Sequence, residues 1–291
     1  MRLATIRING EAHFGAATDQ GFIDLGVRLG GRCADIPDLL RQDLLNEAAA
    51  LCTNTQPDLP LDELEYLPVI ANRNARIFAV GWAYQEHQTE TGKEAPEHPA
   101  LFDKHPQALV GHGQPLIKPA ISDSYDFEGE VAVVIGKAGR HIAAKDAVDH
   151  IAGYTIMMDG SLRAWQRHSL TAGKNFDAGS ACGPWLVTRD EIPDPRQMVL
   201  TTRLNGTQMQ HSSFANMVWD LGFLIEYIST FTELQPGDII STGTPSGVGS
   251  RRTPPVFLKA GDRLEVEVSG IGVLGNTIID EPPRPAPRSG S

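Results

Sequence analysis

Cysteine is scarce here. Cys33, Cys52 and Cys182 are the only three, far apart and with no Cys-x-x-Cys pair. That excludes a disulfide framework and leads to the expectation of a reducing, cytoplasmic compartment. No apolar run of about 18 residues occurs, so no membrane-spanning helix is expected. The opening MRLATIRINGEAHFG alternates like a strand and has no apolar stretch of the signal-peptide kind. Positive charge is also short, at 25 Lys and Arg against 36 Asp and Glu, for a net charge of −11. Generic nucleic-acid binding wants a basic face and is excluded. An anionic substrate stays open, because a few local cations can override the global field.

What is present is an ordinary globular composition, 41% apolar and 21% charged over 291 residues. It is enough for one large or two modest domains with a hydrophobic core. Residues 1–27 read as an antiparallel meander with an Asn-Gly turn in RINGEAHFG. Residues 36–52 read as a helix, and the polar, proline-punctuated stretch 53–68 as a linker, with a boundary near residue 70. Beyond it, RIFAVGWAY (76–84) reads as a strand, YQEHQTETG as a short helical stretch, and 93–115 as a long loop of the kind that forms lids. LTTRLNGTQMQ (200–210) is a second Asn-Gly hairpin, and 214–231 carries an i, i+3/i+4 apolar stripe that predicts a helix throughout. The last ten residues are expected to be disordered.

The chemistry concentrates around DFEGEVAVVIG (126–136), an apolar, β-branched strand with Glu128 and Glu130 at its mouth. Spacing of two puts both carboxylates on one face, where they need a cation or a proton between them. Asp159 ends a second apolar strand, HIAGYTIMMDGS (150–161), and offers a third. Three carboxylates without cysteine or suitably spaced histidine favour a hard divalent ion, Mg²⁺ or Mn²⁺, with Ca²⁺ also open. The competing reading is a solvated strand end paired with Lys or Arg.

Arg163 and Gln166, at i and i+3 in SLRAWQRHS, share a helix face and could hold a substrate carboxylate, or simply face solvent. Lys174 lies in a glycine-flanked stretch, TAGKNFDAG. His87 and Glu90, also i, i+3, could form a dyad in which Glu90 orients an imidazole that takes a proton from water, or be an ordinary surface pair. TGTPSGVG (242–249) lacks the Lys-Ser/Thr ending of a phosphate loop and reads as a tight turn with Thr244 facing a ligand.

In this order the segments VGWAYQEHQTETG, FEGEVAVVIGK, GYTIMMDGSLRAWQ, GKNFDAGSACGPWLVT, LNGTQMQ and LQPGDIISTGTPSGVG resemble the fumarylacetoacetate hydrolase (FAH) family, over roughly residues 74–281. The resemblance implies a mixed α/β, mostly β fold. An FAH-type β-roll or sandwich catalytic domain would span 71–281, behind a small N-terminal α+β domain (1–70) and before a proline-rich tail (282–291), assembled as a homodimer. It puts the family's metal motif on Glu128, Glu130 and Asp159, its substrate-binding Arg and Gln on Arg163 and Gln166, and its lysine, for binding and catalysis, on Lys174. It puts the threonine of its Gly-Thr-Pro turn on Thr244 and its lid dyad on His87 and Glu90. Three positions depart from the family pattern: Ala83 and Met158 stand where Asn is common, and Ala164 where Asp is common.

The implied substrate is a small anionic 2-oxo or β-diketo acid, with neither nucleic acid nor membrane as partner. The expected reaction is Mg²⁺- or Mn²⁺-dependent hydrolysis of a C–C bond in an acylpyruvate, as in the catabolism of aromatic compounds. His87, polarised by Glu90, would direct water onto the distal carbonyl. Isomerisation or decarboxylation of an unsaturated 2-oxo dicarboxylic acid would use the same site, and a non-catalytic metal- or ligand-binding protein would keep the acids without the lid chemistry.

Overall fold

In the computed structural model, which describes residues 1–86 and 96–283, the chain opens with three antiparallel strands, β1 (Arg2–Ile8), β2 (Glu11–Thr18) and β3 (Gly21–Asp24). Asn9 and Gly10 both take positive φ, as a two-residue hairpin turn requires, and Ile8 faces Glu11 directly across it. After three short α-helices and a 3-10 turn (Leu61–Glu63) come β4 (Glu65–Tyr66), β5 (Ile77–Gly81), β6 (Ala100–Lys104), β7 (Leu109–Val110), β8 (Leu116–Lys118) and β9 (Tyr125–Asp126). β10 (Gly129–Ile135), β11 (Ile151–Met158), β12 (Ser161–Leu162) and β13 (Ser180–Thr188) follow. The last are β14 (Val199–Leu204), β15 (Thr207–Ser213), β16 (Ile239–Ser241), β17 (Arg263–Val268) and β18 (Gly272–Asp280).

Among the described residues these make two principal sheets. The larger runs β3-β2-β1-β13-β11-β10-β16-β5-β6, with β4 on β1 and β7 on β13; the smaller runs β15-β14-β17-β18-β8. β10 lies in the middle of the larger sheet and is buried throughout. Val131, Val133 and Ile135 join a core shared with Leu200, Val266 and Leu274 of the smaller sheet. Ala132 and Val134 enter a second core on the opposite face. A strand covered on both faces reads as a continuous apolar run rather than an alternating one, which is what VAVVI shows. The mostly-β, mixed fold expected from the sequence is therefore present.

Several boundaries fall elsewhere than the sequence suggests. The helix expected over 36–52 is two, Ile36–Arg41 and Leu45–Cys52. Asp43 sits at φ 54°, and the N–H groups of Asp43 and Leu44 return to the carbonyls of Leu40 and Leu39. That is a Schellman ending built without glycine, so no glycine marked it. The helix expected over 214–231 is an α-helix only over Leu221–Phe231. Asp220 caps it, accepting from Phe223 N at 2.8 Å, while Val218 N donates to Ala83 O at 2.7 Å, so this stretch pairs with the chain after β5 instead of coiling. The loop expected over 93–115 contains β6 and β7, and the linker over 53–68 contributes β4.

Across the boundary expected near residue 70, sheet and core are continuous. Leu3 of β1 pairs with Leu186 of β13, and Leu3, Phe14 and Leu39 pack in one cluster with Val134, Met157 and Leu186. No helix among the described residues is long and apolar enough to cross a membrane.

Candidate metal and substrate site

The antiparallel pairing of β10 with β11 brings Glu130 opposite Met157 and Gly129 opposite Met158. One step further out, Asp159 N donates to Glu128 O at 2.9 Å. The start of one buried strand and the end of its neighbour thus place Glu128, Glu130 and Asp159 together, with an oxygen from each within 4.8 Å of the others. All three side chains are buried, Asp159 completely.

β16 closes the third side. It runs antiparallel to β10, pairing Ser241 with Ala132. The following turn then passes Glu130, where Ser241 Oγ and Gly243 N both donate to Glu130 Oε2, the latter at 3.0 Å. Gly243 is required here. Its φ is +91°, and a Cβ would lie 2.6 Å from Val80 O.

Cations crowd the other two carboxylates. Lys174 Nζ donates to Glu128 and, at 2.6 Å, to Asp159 Oδ2; Lys104 Nζ donates to Asp159 Oδ1 at 2.6 Å and to the Lys174 carbonyl. Arg163 sets one nitrogen 2.8 Å from Glu128 Oε1, donates Nε to Asp126 Oδ2 at 2.7 Å and reaches Gln166 Oε1 at 3.1 Å. Counting Asp126, four buried acids meet three cations, Lys104, Arg163 and Lys174. Glu130 is the acid in the cluster with no ion-pair partner among the described residues.

The protonation pattern follows. Burial, then the charges of Asp159 and Glu128, push the Glu130 carboxyl up to about 8. Burial opposes the Lys174 charge, but Asp159 and Glu128 outweigh it and hold the ammonium above its ordinary range. For Lys104 burial prevails over Asp159, and its affinity for a proton falls. Arg163 is held charged by Glu128 and Asp126 against its burial.

Glu128 faces a cavity of about 670 Å³, whose walls also carry Arg163, Gln166, Lys174 and Thr244. Four of the residues singled out in the sequence as substrate contacts therefore surround one space. Thr244 is already engaged, donating to Gly129 O at 2.9 Å and accepting from Gln210 Nε2 at 2.8 Å. Gln166 keeps its amide NH₂ without a protein partner among the described residues. His87 and Glu90 lie outside the described residues.

Four residues escaped the sequence reading. Lys104 stands in a stretch that reads as loop, and nothing in ALFDKHP marks a buried ammonium. Asp126 adjoins the Glu-x-Glu motif; it anchors Arg163 and accepts Gly249 N and Ser250 N at 2.8 and 3.0 Å. Ser241 lies in an apolar strand beside the glycine turn. Gln210, at the end of LNGTQMQ, accepts Gly129 N and Thr202 Oγ1 while donating to Thr244 and Pro245, so all four of its hydrogen-bonding capacities are used.

The donor set suits a hard divalent cation: three buried carboxylates, all oxygen, one of them without an ion-pair partner among the described residues. Comparison with known proteins agrees. The model of the fumarylacetoacetate (FAA) hydrolase C-terminal family matches residues 76–279. The chain belongs to the fumarylacetoacetate hydrolase family. This family member is 41% identical over 227 residues, 77% of this chain and 72% of the relative, to the mitochondrial oxaloacetate tautomerase FAHD2A of Bos taurus. A fumarylacetoacetate hydrolase from psychrophilic Exiguobacterium antarcticum superposes with a TM-score of 0.81 at 28% identity, covering 97% of this chain and all of the other. Maleylpyruvate hydrolase from Sphingobium sp. SYK-6, solved with manganese(II) and pyruvate, gives 0.80 at 27% identity, covering 96% of this chain and 99% of the other. The chain is thus akin to enzymes of this family, and its acid cluster is a site that could hold a metal.

Proposed function

We propose that the protein is a divalent-metal-dependent enzyme that interconverts the keto and enol forms of a small 2-oxo acid. The observation that carries this reading is the buried Glu128–Glu130–Asp159 cluster, one cation short among the described residues, with Glu128 on the wall of a cavity shared by Arg163, Gln166 and Lys174. The tautomerase relative supports the reaction type.

Glu128, Glu130 and Asp159 would hold Mg²⁺ or Mn²⁺. Such an ion, when bound, polarises the 2-oxo carbonyl and stabilises negative charge developing on its oxygen. The chain's own residues do the rest. Lys174 and Arg163 carry fixed positive charge at the cavity wall, where a substrate carboxylate is drawn in and oriented. Gln166 offers an amide N–H to the same head group. Lys104 and Asp126, buried behind them, hold Asp159 and Arg163 in place. His87, oriented by Glu90, is the proposed base that moves the proton at the carbon beside the carbonyl.

A second reading keeps the same groups but turns His87 toward water, giving hydrolysis of the C–C bond in an acylpyruvate. The His87/Glu90 spacing favours it, as does the likeness to maleylpyruvate hydrolase. Product analysis separates the two. Metal-loaded protein would be incubated with enol oxaloacetate and with an acylpyruvate, and the products followed by NMR. Tautomerisation predicts faster appearance of the keto form with no new carbon fragment. Two fragments from the acylpyruvate and an unaltered enol lifetime would replace it with hydrolysis.

A further inference from the structure

We infer that Arg167 and Arg251 form a seat for a second carboxylate at the mouth of the cavity, so that the substrates are dicarboxylic 2-oxo acids. The inference rests on the proposed reading of the site as one for 2-oxo acids, and it adds which of them the pocket selects.

Both arginines line the cavity together with Glu128, Arg163 and Lys174. They differ from the inner cations in one respect. Lys104, Arg163 and Lys174 each lie within 3 Å of a buried carboxylate. Arg167 and Arg251 are exposed, and among the described residues neither has a carboxylate within ion-pair distance. In a chain of net charge −11, acids are abundant, so two unmatched guanidiniums opening on one cavity mark a place that favours an incoming anion.

The limbs that carry the two share an anchor, Asp126. Arg167 follows the helix Arg163–Gln166 at φ −69°, ψ −24°, continuing the turn, so it lies one turn beyond Arg163 on the same face. Arg251 follows Gly249 and Ser250, whose N–H groups both end on Asp126. The same Asp126 carboxylate takes Arg163 Nε. One buried acid therefore ties together the two limbs that carry the outer arginines. A 2-oxo acid whose head lies at Glu128, Arg163 and Lys174 would extend its tail toward this rim. A guanidinium pair there rewards a carboxylate and disfavours an alkyl or aryl tail, since fork-shaped donors match carboxylate geometry.

The test is calorimetric titration of the full-length, Mn²⁺-loaded protein with oxaloacetate and with pyruvate, which shares the head but has no distal carboxylate. Wild type is expected to prefer oxaloacetate. Arg167→Gln and Arg251→Gln are each expected to lower the oxaloacetate-to-pyruvate affinity ratio about tenfold or more, as for loss of a charge-assisted hydrogen bond. Arg→Lys at either position should restore part of it. Circular dichroism and thermal melting would confirm that these exposed-site variants fold. A wild type with no preference, through equal binding or none, or a double Gln variant with an unchanged ratio, would overturn the inference. A wild type that shows the preference yet does not hasten tautomerisation would instead sink the proposed reaction and leave this seat standing.

Discussion

At the residue scale, Glu130 links the protonation of the cluster to its capacity for metal. Its proton affinity in the metal-free protein is raised to about 8 by burial and by Asp159 and Glu128, against roughly 4.3 for an unfolded glutamate. The folded state then binds the proton more tightly than the unfolded one. That contribution to stability is complete below the unfolded value and disappears as pH climbs through about 8. Metal-free protein is expected to melt at progressively lower temperature from pH 5 to pH 8.5, and Glu130→Gln should flatten this slope. Because an ion must displace the same proton, Mn²⁺ affinity should rise by about tenfold per pH unit up to about pH 8, with roughly one proton released per ion. Titrations in buffers of different ionisation enthalpy would read that proton directly; affinity independent of pH would contradict it. Lys104 makes a second case. Replacing this fully buried ammonium with Met leaves Asp159 Oδ1 without its ion pair, and a loss of about 3 kcal/mol or more is expected in denaturant unfolding. The Glu-x-Glu motif and the distant Asp were legible because carboxylates at the ends of apolar strands need an explanation. Lys104 was not, because a lysine's burial depends on partners 55 and 70 residues away.

At the scale of elements, the apolar strands and Asn-Gly hairpins were readable, since pleat and turn chemistry are local. The errors came where tertiary contacts overrode local pattern. The stripe over 214–231 is a sound helical pattern, yet Asp220 offers a cap and residues 217–218 find strand-like partners at 83–84, so the helix starts later. Asp220→Ala should cost about 1 kcal/mol, measurable by chemical denaturation. The turn after β16 is less forgiving. Gly243→Ala puts a methyl into Val80 O at a positive φ, so it should destabilise by about 1–3 kcal/mol. It should also weaken Mn²⁺ binding, because Gly243 N holds Glu130. A variant as stable as wild type would show that the turn is not constrained as described.

At the scale of the whole molecule, the sheet supplies rigidity and the cavity supplies access. Two cores flank β10, so the carboxylates at its mouth are carried by backbone that cannot move without opening both. The polar, proline-punctuated stretch 53–68 predicts a boundary near residue 70, and pairing of β1 with β13 runs across it, since such composition marks where the chain turns and not where contacts stop. The proposed activity on 2-oxo acids depends on a metal held by the carboxylate cluster. The most direct measurement is the decay of enol oxaloacetate with metal-stripped protein, with the same protein reloaded with Mn²⁺ or Mg²⁺, and with Glu130→Gln treated identically. Acceleration is expected from the reloaded wild type only. Equal acceleration by stripped protein, or by Glu130→Gln, would contradict it.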